Sequence, residues 1–299
     1  MLTHHHPAPK LPRRVVVLGS AGFIGSAVVQ CVQAQDIPVL RLSRNELDLL
    51  APDASVQLSR LLRSDDTLVI TSAIAPCKNL AMLCENMQMV QSVCSAIERT
   101  PVAHVVYVSS DAVYKDQSHP MTEVSCAEPG SLHGAMHLTR EIALRQTHTG
   151  PLAIVRPTLV YGQDDPHNGY GPNRFLRFAV QGKEISLFGE GEELRDHVDV
   201  QDVAQLIFQM VLHRSDGVIN AVSGAAVSFR ELAELLAGSV QSPVAVRRSP
   251  RTGPMPHNGY RTFDNQLVSD SFPGFEFRHW RTGLLKLLEL EQRKRSDKK

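Results

Sequence analysis

Two histidines, His133 and His137, stand four residues apart in "SLHGAMHLTRE", where the chain reads as helix. Side chains at i and i+4 share one helix face, so both imidazoles can serve one site. Imidazole has an ordinary pKa of about 6.5, so it can gain or lose a proton near neutral pH. Acid–base work at His133 is one reading of the pair. Metal binding is another, because histidines at this spacing supply half of a zinc site. A metalloprotease helix needs glutamate directly after the first histidine. Gly134 stands there, and no third ligand lies nearby in the sequence. The expectation is therefore no metal.

A second constellation is Gly19, Gly22 and Gly25 in "VLGSAGFIGSAVV". They lie between an apolar run and a helical pattern. Missing side chains there allow a tight turn and let backbone N–H groups approach a pyrophosphate, while the helix directs its positive end at the anion. Glycines also serve plain turns, but a triplet in strand–turn–helix context points to dinucleotide binding. In an NAD enzyme a ribose-binding acid follows roughly 20 residues on. Ser43 and Arg44 occupy that corner. A guanidinium suits a 2′-phosphate, which leans the choice between NAD and NADP toward NADP. Asp48 is a candidate partner for the adenine amino group or, equally, a helix-initiating aspartate.

These residues need a scaffold. "VVVL", "IPVLRLS", "TLVITSA", "HVVYVSS" and "PLAIVRPTLVYG" read as strands, and "AMLCENMQMVQSVCSAIER" reads as helix. Continuous apolar strands alternating with helices imply an α/β fold around a parallel sheet. After about Tyr161 the texture changes to the polar loop "GQDDPHNGYGPN". The helical "RFLRFAVQG" ends at Gly182, and Ser228 precedes Glu231 by three in a helix-start signal. The expected organisation is a disordered lead-in over 1–12 and a dinucleotide-binding domain over 13–160. A mainly substrate-binding domain covers 161–299, with 195–215 returning to the first.

Bulk properties bound the partners. The chain has 299 residues, 42% hydrophobic and 21% charged, with zero formal net charge. That is ordinary for a globular protein, and no global field recruits nucleic acid or an acidic membrane. No apolar run approaches the roughly 20 residues of a membrane span. Five cysteines, odd in number and without a CxxC pair, fit reduced thiols in the cytoplasm. The "HHH" near the start reads as a mobile surface tract, and the basic tail "EQRKRSDKK" as a solvated terminus.

Taken together, "GSAGFIG", "TSAIA", Asn86 in "CENMQMV", "YVSSDAVY", "RPTLVYG" and "FGEGEELRDHVDVQDVA" resemble the extended short-chain dehydrogenase/reductases, the NAD(P)-dependent nucleotide-sugar epimerase/dehydratase family. The resemblance runs from about Arg14 to about Leu288. It implies a Rossmann-type doubly wound parallel sheet with a smaller C-terminal α/β substrate domain. It implies cofactor contacts at Gly19, Ser20, Gly22, Phe23, Ile24, Gly25 and Ala73.

Ser110 falls on the family's catalytic Ser/Thr, which hydrogen bonds the reacting sugar oxygen; otherwise it is a strand-end serine satisfied by backbone. Asp111 is a further catalytic candidate. Dehydratases carry Asp-Glu here, and Ala112 replaces the glutamate, so a 4,6-dehydratase is not expected. Arg195 matches the arginine that clamps the substrate diphosphate, and its fork suits phosphate oxygens. Asn173 and Phe188 fall where the family meets the phosphate–ribose portion and the base, although Phe188 is equally readable as a core aromatic.

The family's Tyr-x-x-x-Lys pair falls on His133 and His137. A neutral imidazole at His133 can accept a proton near pH 7 without a cationic neighbour. His137 can donate to the nicotinamide ribose but supplies no permanent charge. The reading is an enzyme that moves hydride at a sugar carbon, C4, as epimerase or ketoreductase. Its rival is a dinucleotide or nucleotide-sugar binding protein that lost the proton-transfer pair and serves as sensor, scaffold or partner. The resemblance also implies a homodimer through helices around 82–99 and 133–145.

Overall fold

The computed structural model describes residues 2–296. The first half alternates strand and helix. β1 (Thr3–His4) and β2 (Val15–Leu18) precede α1 (Phe23–Gln33), and β3 (Val39–Leu42) leads to α2 (Ala54–Leu61). β4 (Thr67–Ile70) leads to α3 (Leu80–Arg99), β5 (His104–Val108) to α4 (Leu132–Thr147), and β6 (Leu152–Pro157) runs on into β7 (Leu159–Tyr161). Then follow α5 (Pro172–Val180), β8 (Ile185–Phe188), β9 (Leu194–Arg195), β10 (His197–Asp199), α6 (Val200–His213) and β11 (Ser215–Ala221). β12 (Val227–Ser228), α7 (Phe229–Gly238), β13 (Val246–Ser249), β14 (Tyr260–Arg261), α8 (Gln266–Ser271) and α9 (Trp280–Ser296) complete the described chain.

The main sheet has the order β1-β11-β6-β5-β4-β2-β3. All neighbours are parallel except β1, which is antiparallel to β11. Strands β2, β4, β5 and β6 are buried at every residue, as parallel strands covered on both faces must be. Alternation divides their side chains. Val15 and Val17 join the core under α1 and α6, while Val16 and Leu18 join the core under α2, α3 and α4. This is the doubly wound Rossmann-type sheet expected. The chain leaves β2 for β3 on one side and for β4 on the other. A crevice therefore opens at the carboxyl ends of β2 and β4, where such sheets bind ligands.

The lead-in differs from expectation. Residues 2–12 are ordered along the sheet edge rather than disordered. His4 Nδ1 lies 2.9 Å from Ser215 Oγ, and the N–H groups of His6 and Lys10 donate to the carbonyls of His213 and Leu212. The outer edge of β11 would otherwise present unpaired backbone groups at its start, and β1 covers Ser215 and Asp216 there. The return to the first domain extends through Ala221, past the 195–215 expected, because β11 is a strand of the main sheet.

A smaller core holds the second domain, with Tyr161, Phe175, Phe229, Leu232, Trp280 and Leu284 among its members. Helix α7 begins with the Ser228–Glu231 capping box read from the sequence. The five cysteines are free. Among the described residues no helix is long and apolar enough to cross a membrane. The last three residues of the basic tail lie outside the described residues.

Candidate functional site

The glycine turn is built against the loop after β4. Gly19 has φ +84°, and a Cβ on it would stand 2.8 Å from Ser72 N. Only glycine combines that dihedral with that approach. The N-cap of α1 is Gly22, which makes no side-chain capping bond. The first-turn N–H groups are thus left for an anion. A cavity of ≈ 310 Å³ runs from this turn, and Gly19, Gly22, Ser43, Arg44, Asp48 and Ala73 all line it. Ser20 is buried beside it and borders an adjoining hollow with Arg41 and Glu46. Phe23 and Ile24 face the neighbouring cavity instead. A bare helix terminus and a turn that only glycine can make fit a dinucleotide's pyrophosphate.

On the wall of the same cavity Arg44 Nε lies 3.7 Å from Asp48 Oδ2, and Asp48 Oδ1 accepts from Leu50 N–H at 3.1 Å. Asp48 therefore serves its own turn as well as the cavity wall. Glu46 was missed by the sequence reading. Its Oε2 accepts from Ser43 N–H at 2.8 Å, and the Ser43 hydrogen bonds hold this carboxyl below the usual range. The signal was present, because Glu46 lies roughly 20 residues beyond the glycines.

The second cavity, of ≈ 430 Å³, brings together Ser110, Asp111, His133, Asn173 and Arg195. Ser110 caps the single 3₁₀ turn at Asp111–Val113, accepting from Ala112 N–H at 3.1 Å. Asp111 is spoken for, since Arg261 Nε donates to its Oδ2 at 2.9 Å within a buried ion pair. This geometry gives Asp111 a structural partnership rather than a free acid's role. Helix α4 starts at the Ser131 cap, whose Oγ accepts from Gly134 N–H at 3.1 Å. A Cβ on Gly134 would overlap the Ala112 carbonyl, so glycine is what lets α4 press against the Ser110 turn.

The two histidines have different surroundings. Cys77 N–H donates to His133 Nδ1 at 3.4 Å, which puts the neutral ring's proton on Nε2. Burial lowers the pKa of His133, partly opposed by Asp111. His133 thus offers an N–H donor where the sequence reading expected a proton acceptor. His137 is 5% exposed and packs edge-on against His133, with ring centroids 4.7 Å apart. Its Nδ1 is 2.8 Å from Tyr107 Oη. Burial, His133 and Arg140 push its pKa well below the usual imidazole value.

Arg140, one turn on, is wholly buried. Its Nη2 donates to Ser72 O at 2.7 Å and its Nη1 to Asn86 Oδ1 at 3.3 Å. Asn86 in turn accepts from Ile74 N–H and donates to Ile74 O, pinning the loop that borders both cavities. Nothing in the local pattern around Arg140 signals this role. Among the described residues no three His, Cys, Asp or Glu side chains converge as metal ligands.

Asn173, 8% exposed, accepts from Gly162 N–H at 3.1 Å and fixes the start of α5. Arg195 Nη1 donates to Glu193 Oε1 at 2.9 Å, while its buried Nε has no partner among the described residues. Phe188 is not brought to the site. It is 48% exposed and rests on Tyr170, with ring centroids 4.7 Å apart, so it is not a core aromatic either.

Residues 15–222 match the NAD dependent epimerase/dehydratase family. The chain is 25% identical over 281 residues to a dTDP-4-dehydro-6-deoxy-D-allose reductase of Streptomyces bikiniensis, covering 80% of this chain and 84% of that protein. The fold is shared with the UDP-glucose 4-epimerase of Thermus thermophilus in complex with NAD. That comparison has a TM-score of 0.81 and 20% identity, covering 92% of this chain and 98% of that one. It is shared also with a GDP-L-fucose synthetase of Naegleria fowleri bound to NADP. There the TM-score is 0.80 at 17% identity, covering 96% of each chain.

Proposed function

The chain belongs to the NAD dependent epimerase/dehydratase family, and from that premise we propose that it reduces a nucleotide-activated 4-keto sugar with a nicotinamide dinucleotide. The carrying observation is that Ser110, His133, Asn173 and Arg195 line one cavity that adjoins the glycine cradle through Phe23 and Ile24. The Streptomyces relative, by its name, reduces a 4-dehydro sugar on dTDP, which supports C4 as the reacting carbon.

A nicotinamide dinucleotide held at the Gly19–Gly25 turn would supply the hydride. Ser110 Oγ–H and His133 Nε2–H donate to the carbonyl oxygen on which charge builds, and the alkoxide left by hydride addition takes the Ser110 Oγ proton, which solvent water entering the open cavity replaces. A neutral imidazole N–H is an adequate donor here, and burial keeps the ring neutral. His137, buried behind His133 and paired with Tyr107 Oη, lines neither cavity and would position the His133 ring. Arg195 meets the diphosphate, and Asn173 shapes the floor beneath it. At the adenosine end Arg44 favours a 2′-phosphate, whereas the Glu46 carboxylate favours free ribose hydroxyls.

The reading is tested with UDP-, dTDP- and GDP-linked 4-keto sugars, following nicotinamide absorbance. Consumption by the native protein and a loss of about 100-fold or more in Ser110→Ala are expected. Consumption unchanged in Ser110→Ala would contradict the assignment. A second reading, binding without turnover, draws on one observation: the His133 lone pair is held by Cys77 N–H, and no lysine accompanies either histidine. It predicts cofactor affinity with no consumption of any sugar. The proposal extends to a cytoplasmic homodimer that uses α3 and α4, where Ile142 is exposed. Sedimentation of the native chain against Ile142→Glu checks the dimer.

A further inference from the structure

His197, the first residue of β10, follows Arg195, the last residue of β9, by two positions. The intervening Asp196 turns to the other side, accepting from Ser223 Oγ at 2.8 Å and Gly224 N–H at 2.7 Å. Side chains two apart in extended chain share a face, and both Arg195 and His197 line the cavity that holds Ser110 and Asn173.

His197 is 0% exposed, yet neither Nδ1 nor Nε2 has a hydrogen-bond partner among the described residues. Arg195 Nε, also buried, has none. Burial, aided by the Arg195 charge, pushes the His197 pKa down to about 3, so at working pH one nitrogen carries a proton and the other a lone pair. Its ring neighbour is Phe229, edge-on at 5.7 Å.

A buried imidazole with both nitrogens idle destabilises a fold, and a phenyl ring of similar shape would not. Phe229, Phe175 and Tyr170 already form an aromatic cluster beside it, so a phenylalanine would suit the surroundings. Local costs of this kind persist where a site needs them. The two residues offer two donors, Arg195 Nε–H and one His197 N–H, and one acceptor. A hydroxyl can give to or take from one His197 ring nitrogen, and an anionic oxygen beside it can accept from Arg195 Nε–H.

We propose that His197 is a specificity-determining residue that, with Arg195, reads a hydroxyl group adjoining the diphosphate of the bound nucleotide sugar. The inference rests on the nucleotide-sugar reading given above.

The test is calorimetric binding of UDP-glucose, dTDP-glucose and GDP-mannose to the NAD(P)-loaded protein, in the native form, His197→Phe and His197→Gln. The expected result is affinity roughly 10-fold weaker in His197→Phe for whichever sugar the native protein holds, with partial recovery in His197→Gln. NAD(P) affinity stays unchanged, and the melting temperature of His197→Phe is equal to or above that of the native protein. Equal sugar affinity in all three forms would overturn the proposal and leave the functional reading standing. Binding of NAD(P) but of none of the sugars by the native protein would overturn that reading and this proposal with it. Loss of the folded state in both variants would make the ring a packing element and overturn the proposal alone.

Discussion

His133 and His137 share a helix face, as their spacing requires, yet they differ in what they touch. His133 meets Cys77 N–H and the cavity; His137 meets Tyr107 Oη. The spacing was legible in the sequence, but the tautomers were not, because they are set by groups 56 and 30 residues away. Protonation of His133 must displace the Cys77 contact. Its folded pKa is lowered, so the neutral ring persists below the ordinary value of about 6.5. The rate of sugar reduction should therefore be flat across neutral pH and fall only on the acid side of that value. A pH profile of kcat/KM that breaks above neutrality would contradict this. At the other end of the cofactor cavity, the sequence reading chose Arg44 and passed over Glu46. The reason is that Glu46 follows the strand by a turn and folds back onto Ser43 N–H. Glu46→Ala should raise affinity for NADP relative to NAD by about 10-fold, as measured by fluorescence titration of both cofactors.

At the scale of elements, helix α4 carries both histidines and is held at three places. Ser131 caps it, Gly134 lets it touch the Ala112 carbonyl, and Glu141 ties it to β6. Gly134→Ala should push the helix off the Ser110 turn, destabilise the protein by about 1–3 kcal/mol, and lower kcat more than it raises KM. Denaturant unfolding and steady-state kinetics check the two effects. Glu141 is buried, accepts from Arg156 Nη2 at 2.6 Å, and also accepts from Ser109 Oγ at 2.5 Å. Glu141→Gln leaves the Arg156 charge without its partner and should cost about 3 kcal/mol in urea unfolding. Apolar periodicity and glycine placement made most elements readable before the structure. The lead-in was not, because nothing local in "LTHHHPAPK" says that the edge of β11 needs a cover.

The whole molecule places two cavities side by side where the strand order reverses, one against the glycine turn and one between the domains. The reversal was implied by the alternating strands and helices, whereas the second cavity depends on which far-separated residues the smaller domain brings in. Asn173 and Arg195 arrive; Phe188 does not, since β8 turns it out to solvent against Tyr170. Of the four histidines buried among the described residues, three are lowered furthest: His104 and His197, with pKa values of about 3, and His137, lowered well below the ordinary value. The unfolded chain binds protons at all three below about pH 6.5, and the folded chain does not. Stability present above that pH should thus be lost as pH falls toward 3, each group adding up to about 1.4 kcal/mol per pH unit. Thermal unfolding from pH 7 to 5 reads this, and a flat melting temperature would contradict it. The central claim is that this fold, with histidines in its acid–base positions, still turns over a nucleotide sugar. It is tested most directly by incubating the native protein and His133→Phe with UDP-, dTDP- and GDP-sugars and both nicotinamide cofactors, following products by NMR. The account predicts conversion of at least one sugar by the native protein and collapse of that conversion in the variant with cofactor affinity retained. Equal conversion by both proteins, or none by the native protein with dinucleotide bound, would contradict it.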